Sequence, residues 1–251
     1  MSQIIHALQV MPYWLMSLFL LLENLIIFAL ALLVGQWMSR KFAARPVAYA
    51  PKAVDTTQIV LTGSTLLLNT AVTVAGLWLW RKGIVHFRED IGWRALLDVF
   101  VLIIVMDFAM YFLHRIAHWK WIFPLLHSTH HVYENPRPLT LFALNPAEAV
   151  SFGSLWLLVI ALYDASWMGM SVYLALNVAF GTIGHLGVEP FPDFVKRTPL
   201  LKLVSTSTFH AQHHQNLRHN FGFYTLIWDK LFGTLSPRYV EDFGRLPLRA
   251  K

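Results

Sequence analysis

Long apolar stretches constrain the fold of this chain more than any other feature of its sequence. The first runs from about residue 11 to residue 38, and its only charged residue is Glu23. The second covers about residues 58–80, and the third, about residues 95–113, contains Asp98 and Asp107. Because a helix needs about 20 apolar residues to cross the hydrocarbon core of a bilayer, we predict a membrane-spanning helix at each stretch.

A fourth apolar region, about residues 147–184, is interrupted near residues 163–167 and predicts two shorter helices that form a hairpin. Charged residues make up 14% of the 251 residues, compared with about 25% in soluble domains. We therefore expect an all-α integral membrane bundle with four to five membrane segments, folded as a single domain over residues 1–251.

The N-terminus has no basic residue before the first span and no small-residue cleavage pattern, so this span is expected to be retained.

Histidine occurs in a repeated pattern, H-x-x-H-H. It is written HSTHH at residues 127–131 and HAQHH at residues 210–214. On a helical turn, His127 and His130 share a face, whereas His131 points about 100° away. One such turn can offer ligands to two metal ions, or to one ion and a neighbouring hydrogen-bond partner. A single copy can be a solvated polar turn, but two copies favour metal binding. The second copy contributes His210, His213 and His214.

Further histidines are placed to join the same site. His114 and His118 are four residues apart at the end of the third span, so their rings stack on one helix face. An interfacial helix end is the alternative explanation for that pair. His185 follows the hairpin. Together these positions make nine candidate ligands, enough for two ions with four or five nitrogens each: His114, His118, His127, His130, His131, His185, His210, His213 and His214. Imidazole binds Fe, Zn, Cu and Ni alike, and the chain has no cysteine.

Carboxylates are expected to orient these rings, because a metal-ligating histidine usually donates its other N–H to a carboxylate or a carbonyl. Asp107 lies seven residues before His114, on the same helical face, and a carboxylate within a span is costly unless it has a function. The further candidates are Asp229, Glu148 and His219, the last of which can also face substrate or solvent. Asp98 and Glu23 can simply lie near the membrane interface, and His6 and His86 are assigned no role.

Basic residues predict the orientation of the chain in the membrane. Those that follow the third span and the hairpin are Arg115, Lys120, Arg137, Lys196, Arg197, Lys202, Arg218 and Lys230. We therefore place this side in the cytoplasm, where a helical cap carries all three histidine groups. A nucleic-acid partner is not expected, because the basic residues form no stripe.

Several enzyme classes lack their motifs. The chain has no H-E-x-x-H, G-x-S-x-G or G-x-G-x-x-G, which argues against zincins, serine hydrolases and dinucleotide-binding enzymes. Histidines at helix ends, instead of within opposing spans, argue against haem. A metal transporter would need polar ligands within several spans near the midplane. Only Asp98 and Asp107 come near this requirement, so transport stays the less favoured alternative. A zinc-dependent membrane hydrolase on the same histidines stays open as an alternative.

The order H-x3-H, H-x2-H-H, H-x2-H-H resembles the fatty acid hydroxylase superfamily, also called the sterol desaturase family. DFAMYFLHRIAHWKWIFPLLHSTHH is similar to its first two histidine boxes, and FHAQHHQN with NFGFYTLIWDKLFGTLSP is similar to its last box and tail. The resemblance covers about residues 107–237. It implies that the eight box histidines bind a non-haem di-iron centre and that His185 matches a further ligand. Gly181 and Asn145 depart from the pattern, since some members have a histidine at each position.

The resemblance also implies the reaction. The family uses O2 and two electrons to oxidise lipids, so the chain is expected to hydroxylate a fatty acyl chain or a sterol-like substrate, with desaturation as the alternative. The chain has no haem, flavin or iron–sulfur motif of its own, so the electrons are expected from a ferredoxin or cytochrome b5 with its reductase. Its small size and short termini favour a bacterial inner membrane over the endoplasmic reticulum.

Overall fold

Helices dominate the computed structural model, which describes residues 2–246 and contains no strand in that range. Four helices are long and apolar enough to cross a membrane: α2 (Tyr13–Lys41), α3 (Thr56–Arg81), α4 (Trp93–Ala117) and α8 (Trp167–Gly184). A shorter apolar helix, α7 (Pro146–Leu162), precedes α8. The predicted all-α membrane fold, with three long spans and a hairpin made of two shorter helices, is therefore confirmed.

The exposed surface of α2 explains why this helix belongs in a membrane. It begins after Pro12, which fixes the backbone at the helix start, and it ends in the basic pair Arg40 and Lys41. Leu18, Leu22 and Leu33 are each more than half exposed. Contiguous apolar surface of this kind would be costly in water, whereas hydrocarbon accommodates it.

Asp98 holds the turn between α7 and α8. Its carboxylate accepts hydrogen bonds from the Tyr163 hydroxyl at 2.7 Å and the Ser166 backbone N–H at 2.8 Å. Arg88 contacts both of its oxygens, at 2.9 and 3.0 Å. Asp98 lies sixteen residues before His114, which is about 24 Å along a helix. This buried carboxylate therefore stabilises the end of the bundle opposite the histidines.

The membrane helices pack so that the histidine-bearing segments meet at one end. α4 packs against α7 and α8, and α3 packs against α2 and α7. This histidine end of the bundle is formed by the C-terminal ends of α4 and α8 and by the N-terminal end of α7. Short helices form a cap there: α5 (Phe123–Leu126), α6 (Ser128–His131), α9 (Ser207–Gln215), α10 (Ile227–Leu231), α11 (Tyr239–Asp242) and 3-10 turns at Pro138–Phe142 and Leu201–Leu203. The remaining helix, α1 (Ser2–Val10), precedes α2.

The connecting segment, residues 42–55 between α2 and α3, ties the N-terminal spans to the cap. The Val47 N–H donates to the Gly187 carbonyl at 3.0 Å, and the Gln215 side chain donates to the Val47 carbonyl at 3.3 Å. The Tyr49 N–H donates to the Asn135 side chain at 2.9 Å. The connecting segment thus joins three parts of the cap that are far apart in sequence.

Candidate metal centre

All nine histidines singled out in the sequence come together in two groups. Within each group, one nitrogen from every ring lies within 4.8 Å of the others. The five-histidine group contains His114, His118, His127, His131 and His213, and the four-histidine group contains His130, His185, His210 and His214. His219 is not a member of either group.

The two H-x-x-H-H segments divide their rings between the groups in opposite ways. The first segment gives His127 and His131 to the five-histidine group and His130 to the other. The second gives His210 and His214 to the four-histidine group and His213 to the first. The rings of His127 and His130 stack 5.4 Å apart, as neighbours on one face would, yet they belong to different groups. Four residues turn a helix by about 400°, nearer to a full turn than the 300° of three residues.

The spacing of the nitrogens fits metal coordination. Nε2 of His114 is 2.9 Å from Nε2 of His127, and Nε2 of His213 is 3.2 Å from Nε2 of His131. In the four-histidine group, Nε2 of His185 lies 3.1 Å from that of His210 and 3.3 Å from that of His130. Two imidazole nitrogens bound about 2.1 Å from one ion and about 90° apart would be about 3.0 Å from each other. Both groups match that separation.

The outer hydrogen bonds determine which nitrogen faces inward without a proton. The Nδ1–H of His114 donates to the Phe221 carbonyl at 2.9 Å, and that of His213 donates to the His219 carbonyl at 2.7 Å. A carbonyl only accepts, so in the neutral rings both Nε2 atoms carry bare lone pairs. Burial lowers the pKa of His213 well below its ordinary value, which keeps that ring neutral. Two bare lone pairs directed into one buried group favour a cation between them.

The four-histidine group has the same outer arrangement. The Nδ1–H of His185 donates to the Gly181 carbonyl at 2.8 Å, which leaves its Nε2 unprotonated and directed at His130 and His210. Burial lowers the pKa of His185 to about 4 and those of His130 and His210 well below their ordinary value. Neutral imidazole is the ligand form of histidine, so the residues present fit a transition-metal ion in each group.

Glu148 is the only carboxylate among residues 2–246 that contacts a ring of either group. Its Oε1 accepts from Nδ1 of His127 at 2.7 Å, and both side chains are almost fully buried. Asn145 caps the start of α7 by accepting from the Ala147 N–H at 2.9 Å, which fixes the turn that carries Glu148. The sequence ranked Glu148 behind Asp107. The sequence feature that could have identified Glu148 is an acidic residue in the first turn of a helix that starts with Asn-Pro.

Asp107 has a different role from the one expected. Its fully buried carboxylate accepts from the backbone N–H groups of Phe223, Tyr224 and Thr225 at 3.2, 2.7 and 3.3 Å, and from the Thr225 hydroxyl at 2.5 Å. It contacts no histidine of the described chain. Asp107 therefore anchors the segment after the last histidine box to α4, and it does not orient a ring.

Asp229 and His219 act through backbone atoms. Asp229 accepts from the N–H groups of Phe221 and Gly222 at 2.9 and 2.7 Å, and the Phe221 carbonyl in turn receives the His114 N–H. His219 contributes its carbonyl to His213, whereas its Nδ1 is buried without a hydrogen-bond partner in the described part of the chain. Both residues lie next to segments that orient rings, but neither side chain contacts a ring nitrogen in the described chain.

Leu141 occupies the space beside Gly181. A Cβ atom at position 181 would lie 2.8 Å from a methyl carbon of Leu141, closer than packed carbon atoms approach. A larger residue, such as the histidine of some family members, would require Leu141 to move. In the packing of this chain, Leu141 therefore leaves no room for a side chain at position 181.

Replacing Glu148 with glutamine is expected to weaken metal binding in the five-histidine group by about 10- to 100-fold, the range found for partners of ligating histidines. The amide keeps the size of the side chain but replaces the carboxylate that accepts from His127, and a neutral amide oxygen is a weaker acceptor than a carboxylate. The measurement is metal retained against a chelator over time. Glu134→Gln, at an exposed site in the cap, is the matched control, and equal retention by both variants would contradict the role of Glu148.

Comparisons with known proteins agree with this site. A family model for fatty acid hydroxylases matches residues 99–234. Methylsterol monooxygenase 2-2 of Arabidopsis thaliana is 32% identical over 134 residues, which cover 52% of this chain and 49% of that protein. Lathosterol oxidase of Mus musculus is 25% identical over 197 residues, covering 74% and 63%. Very-long-chain aldehyde decarbonylase GL1-4 of Oryza sativa subsp. indica is 29% identical over 136 residues, covering 52% and 22%.

The chain spans less than two thirds of the length of each of these relatives. No solved structure matches it. The matched region contains all nine histidines and Glu148, and it makes up more than half of the chain. The chain belongs to the fatty acid hydroxylase family.

Proposed function

We propose that this chain is a membrane-bound oxidoreductase that hydroxylates a lipid with O2 and two electrons at a non-haem di-iron centre. The observation that carries the proposal is the pair of unprotonated Nε2 atoms, from His114 and His213, directed into one buried all-histidine group. Family membership and the monooxygenase and oxidase relatives support lipid oxidation as the reaction. Iron bound in the two groups would supply the O2 activation that an inert lipid C–H bond requires.

The residues of this chain hold and orient the metal ligands. Backbone carbonyls of Phe221, His219 and Gly181 fix three rings with Nε2 inward, and Glu148 fixes a fourth. Such supports set the ring orientation and raise the basicity of the ligands. The cap also keeps most of the site dry, because six of the nine rings belong to buried residues.

We propose that the histidine end of the bundle faces the cytoplasm. In the described chain, Arg81, Lys82, Arg88 and Arg94 lie at the other end, and every other basic residue lies at the histidine end. Basic residues close to spans favour the cytoplasmic side. The same charge would attract an acidic electron donor of the ferredoxin or cytochrome b5 type. A bacterial inner membrane stays the predicted location.

We further propose that residues 1–251 act as one domain. The connecting segment supports this, because it hydrogen-bonds to the segments that follow His131 and His185 and to Gln215 at the end of α9. The N-terminal spans lie outside the region matched by the family model, yet they contact the cap that carries the ligands.

The test of this function is purification in detergent, followed by metal analysis and a lipid-oxidation assay with O2 and a reductant. About two iron ions per chain and an oxidised lipid that incorporates oxygen from O2 are expected. A product with a new double bond and no incorporated oxygen would indicate desaturation instead. Stoichiometric zinc without iron, together with no oxidation under reducing conditions, would exclude the oxygenase and favour a zinc hydrolase.

A further inference from the structure

Glu23 is the only charged residue of α2 between Tyr13 and Trp37. It comes nine residues after Trp14 and fourteen before Trp37, which is about 14 and 21 Å along the helix axis. Tryptophan is enriched at the two membrane–water interfaces, so Glu23 lies within the hydrocarbon layer and not at its edge. Its side chain is too short to reach either interface.

The carboxyl group of Glu23 has no partner in its own chain. The residue is exposed, and within residues 2–246 its side chain forms no hydrogen bond or ion pair. Hydrocarbon offers no hydrogen bond, so an isolated carboxyl group is costly there. Ionisable side chains within spans almost always face a protein interior and pair with another polar group. A second polypeptide against this side of α2 would supply that partner.

Glu23 belongs to a row of exposed side chains on α2 whose spacing alternates between four and three residues. This is the 3.5-residue repeat with which two helices pack against each other, knobs into holes. The row extends over eighteen residues, or about 27 Å, which is close to the thickness of the hydrocarbon core. We call it the α2 seam, and its exposed members are Phe19, Glu23, Ile26, Leu30, Leu33 and Trp37.

α2 uses another of its sides to pack against its own chain. The buried residues of this helix are Met16, Leu20, Ala31 and Gly35. Their mean direction around the helix axis differs from that of the α2 seam by about 110°. α2 is also the least buried of the four spans. The α2 seam can therefore accept a partner helix without disturbing the bundle.

We propose that the α2 seam pairs with the α2 seam of a second copy of this chain, and that the two Glu23 side chains hydrogen-bond to each other. Two copies share one orientation in the membrane, so a two-fold axis normal to the membrane makes their α2 helices parallel. Each residue near the axis then meets its own counterpart at the same depth. A neutral carboxyl group both donates and accepts, so two copies of Glu23 satisfy each other without a third group.

A second copy fits the α2 seam better than an unrelated membrane protein. Self-pairing brings a carboxyl group to the depth of Glu23 automatically, whereas another sequence would need a polar residue at that same depth. A single polar residue in an otherwise apolar seam also fixes the register and the number of paired helices. This interface does not depend on the reaction that the chain catalyses.

The chain contains no cysteine, so single introduced cysteines report on the interface in the full chain. In liposomes, Ile26→Cys and Leu30→Cys are expected to oxidise to disulfide-linked dimers, because seam residues face their counterparts at distances that a disulfide can bridge. Leu25→Cys is the matched control, since Leu25 is also exposed but points about 100° away from Ile26. Equal cross-linking at positions 25 and 26, or none at positions 26 and 30, would overturn the proposal.

The contribution of Glu23 is measured by energy transfer between donor- and acceptor-labelled full chains in phosphatidylcholine liposomes. Glu23→Leu is expected to raise the dissociation constant of the dimer by about tenfold, the size of a hydrogen bond between membrane helices. Glu23→Gln should stay close to the natural chain, because an amide also donates and accepts. Thr73→Val, which removes an exposed polar group from α3, is the matched control and should change nothing.

Absence of energy transfer between natural chains at every ratio of protein to lipid would overturn the dimer, and so would capture of a different membrane protein in its place. A Glu23→Leu variant that associates as tightly as Thr73→Val would overturn the pairing of the two carboxyl groups. An unchanged circular dichroism spectrum checks that each variant is folded, and neither assay requires O2, reductant or metal.

Discussion

Replacing His130 or His213 with alanine is expected to abolish lipid oxidation, with at least about a 100-fold loss, because even partners of metal ligands contribute 10- to 100-fold. His130 belongs to the four-histidine group and His213 to the five-histidine group. Each variant should therefore lose one metal ion and keep the other, because each group has its own ligands. Metal content per chain, measured after gel filtration in detergent, gives this result independently of activity.

His86→Ala is the matched control for these two variants. His86 is exposed at the opposite end of the bundle and belongs to neither group, so this change should leave both metal content and turnover unchanged. Full activity in either ligand variant, or two ions retained in both, would contradict the assignment of the two groups.

Asp107→Ala is expected to produce the largest loss of stability of any single substitution considered. It removes the acceptor for three backbone N–H groups and one hydroxyl in a fully buried position. Each buried donor left without a partner costs about 1–3 kcal/mol, so the free energy of unfolding should fall by about 3 kcal/mol or more. A lower unfolding temperature in detergent, followed through the metal-free protein, measures the effect without involving the metal.

Two further variants serve as a control and as a partial loss of the Asp107 contacts. Asp193→Ala removes an exposed partner of Arg45 and should change the free energy of unfolding by less than about 1 kcal/mol. Thr225→Val removes only the hydroxyl donor and should give an intermediate loss. If Asp107→Ala unfolds at the same temperature as Asp193→Ala, then Asp107 does not anchor the 223–225 segment.

The spans and the set of nine histidines were accessible from the sequence because both signals are local. Apolar length alone identified α2, α3 and α4, and the break near residue 163 divided α7 from α8. The repeated H-x-x-H-H pattern, together with the topology of the spans, was enough to select the histidines that meet.

The hydrogen-bond partners that orient those histidines could not be predicted from the sequence, because they depend on contacts between distant segments. Phe221 and Gly181 orient rings through carbonyls, and every residue has a carbonyl, so the sequence carries no signal for them. Glu148 contacts a ring only because the start of α7 packs beside α5. Asp107 shares a helix face with His114, as predicted, but the segment after the last box lies against it instead.

The two H-x-x-H-H segments distribute their histidines between the two groups in opposite ways, and this determines when a newly made chain can bind metal. Each group takes at least one ligand from α9, which begins at Ser207. A nascent chain will therefore have completed all four spans before either metal group has its full set of ligands. We expect a chain that stops before residue 207 to insert into the membrane but to hold neither ion tightly. Metal loading would thus report that synthesis has passed the last histidine box, and bound ions would in turn fasten the late segment to helices that were inserted earlier.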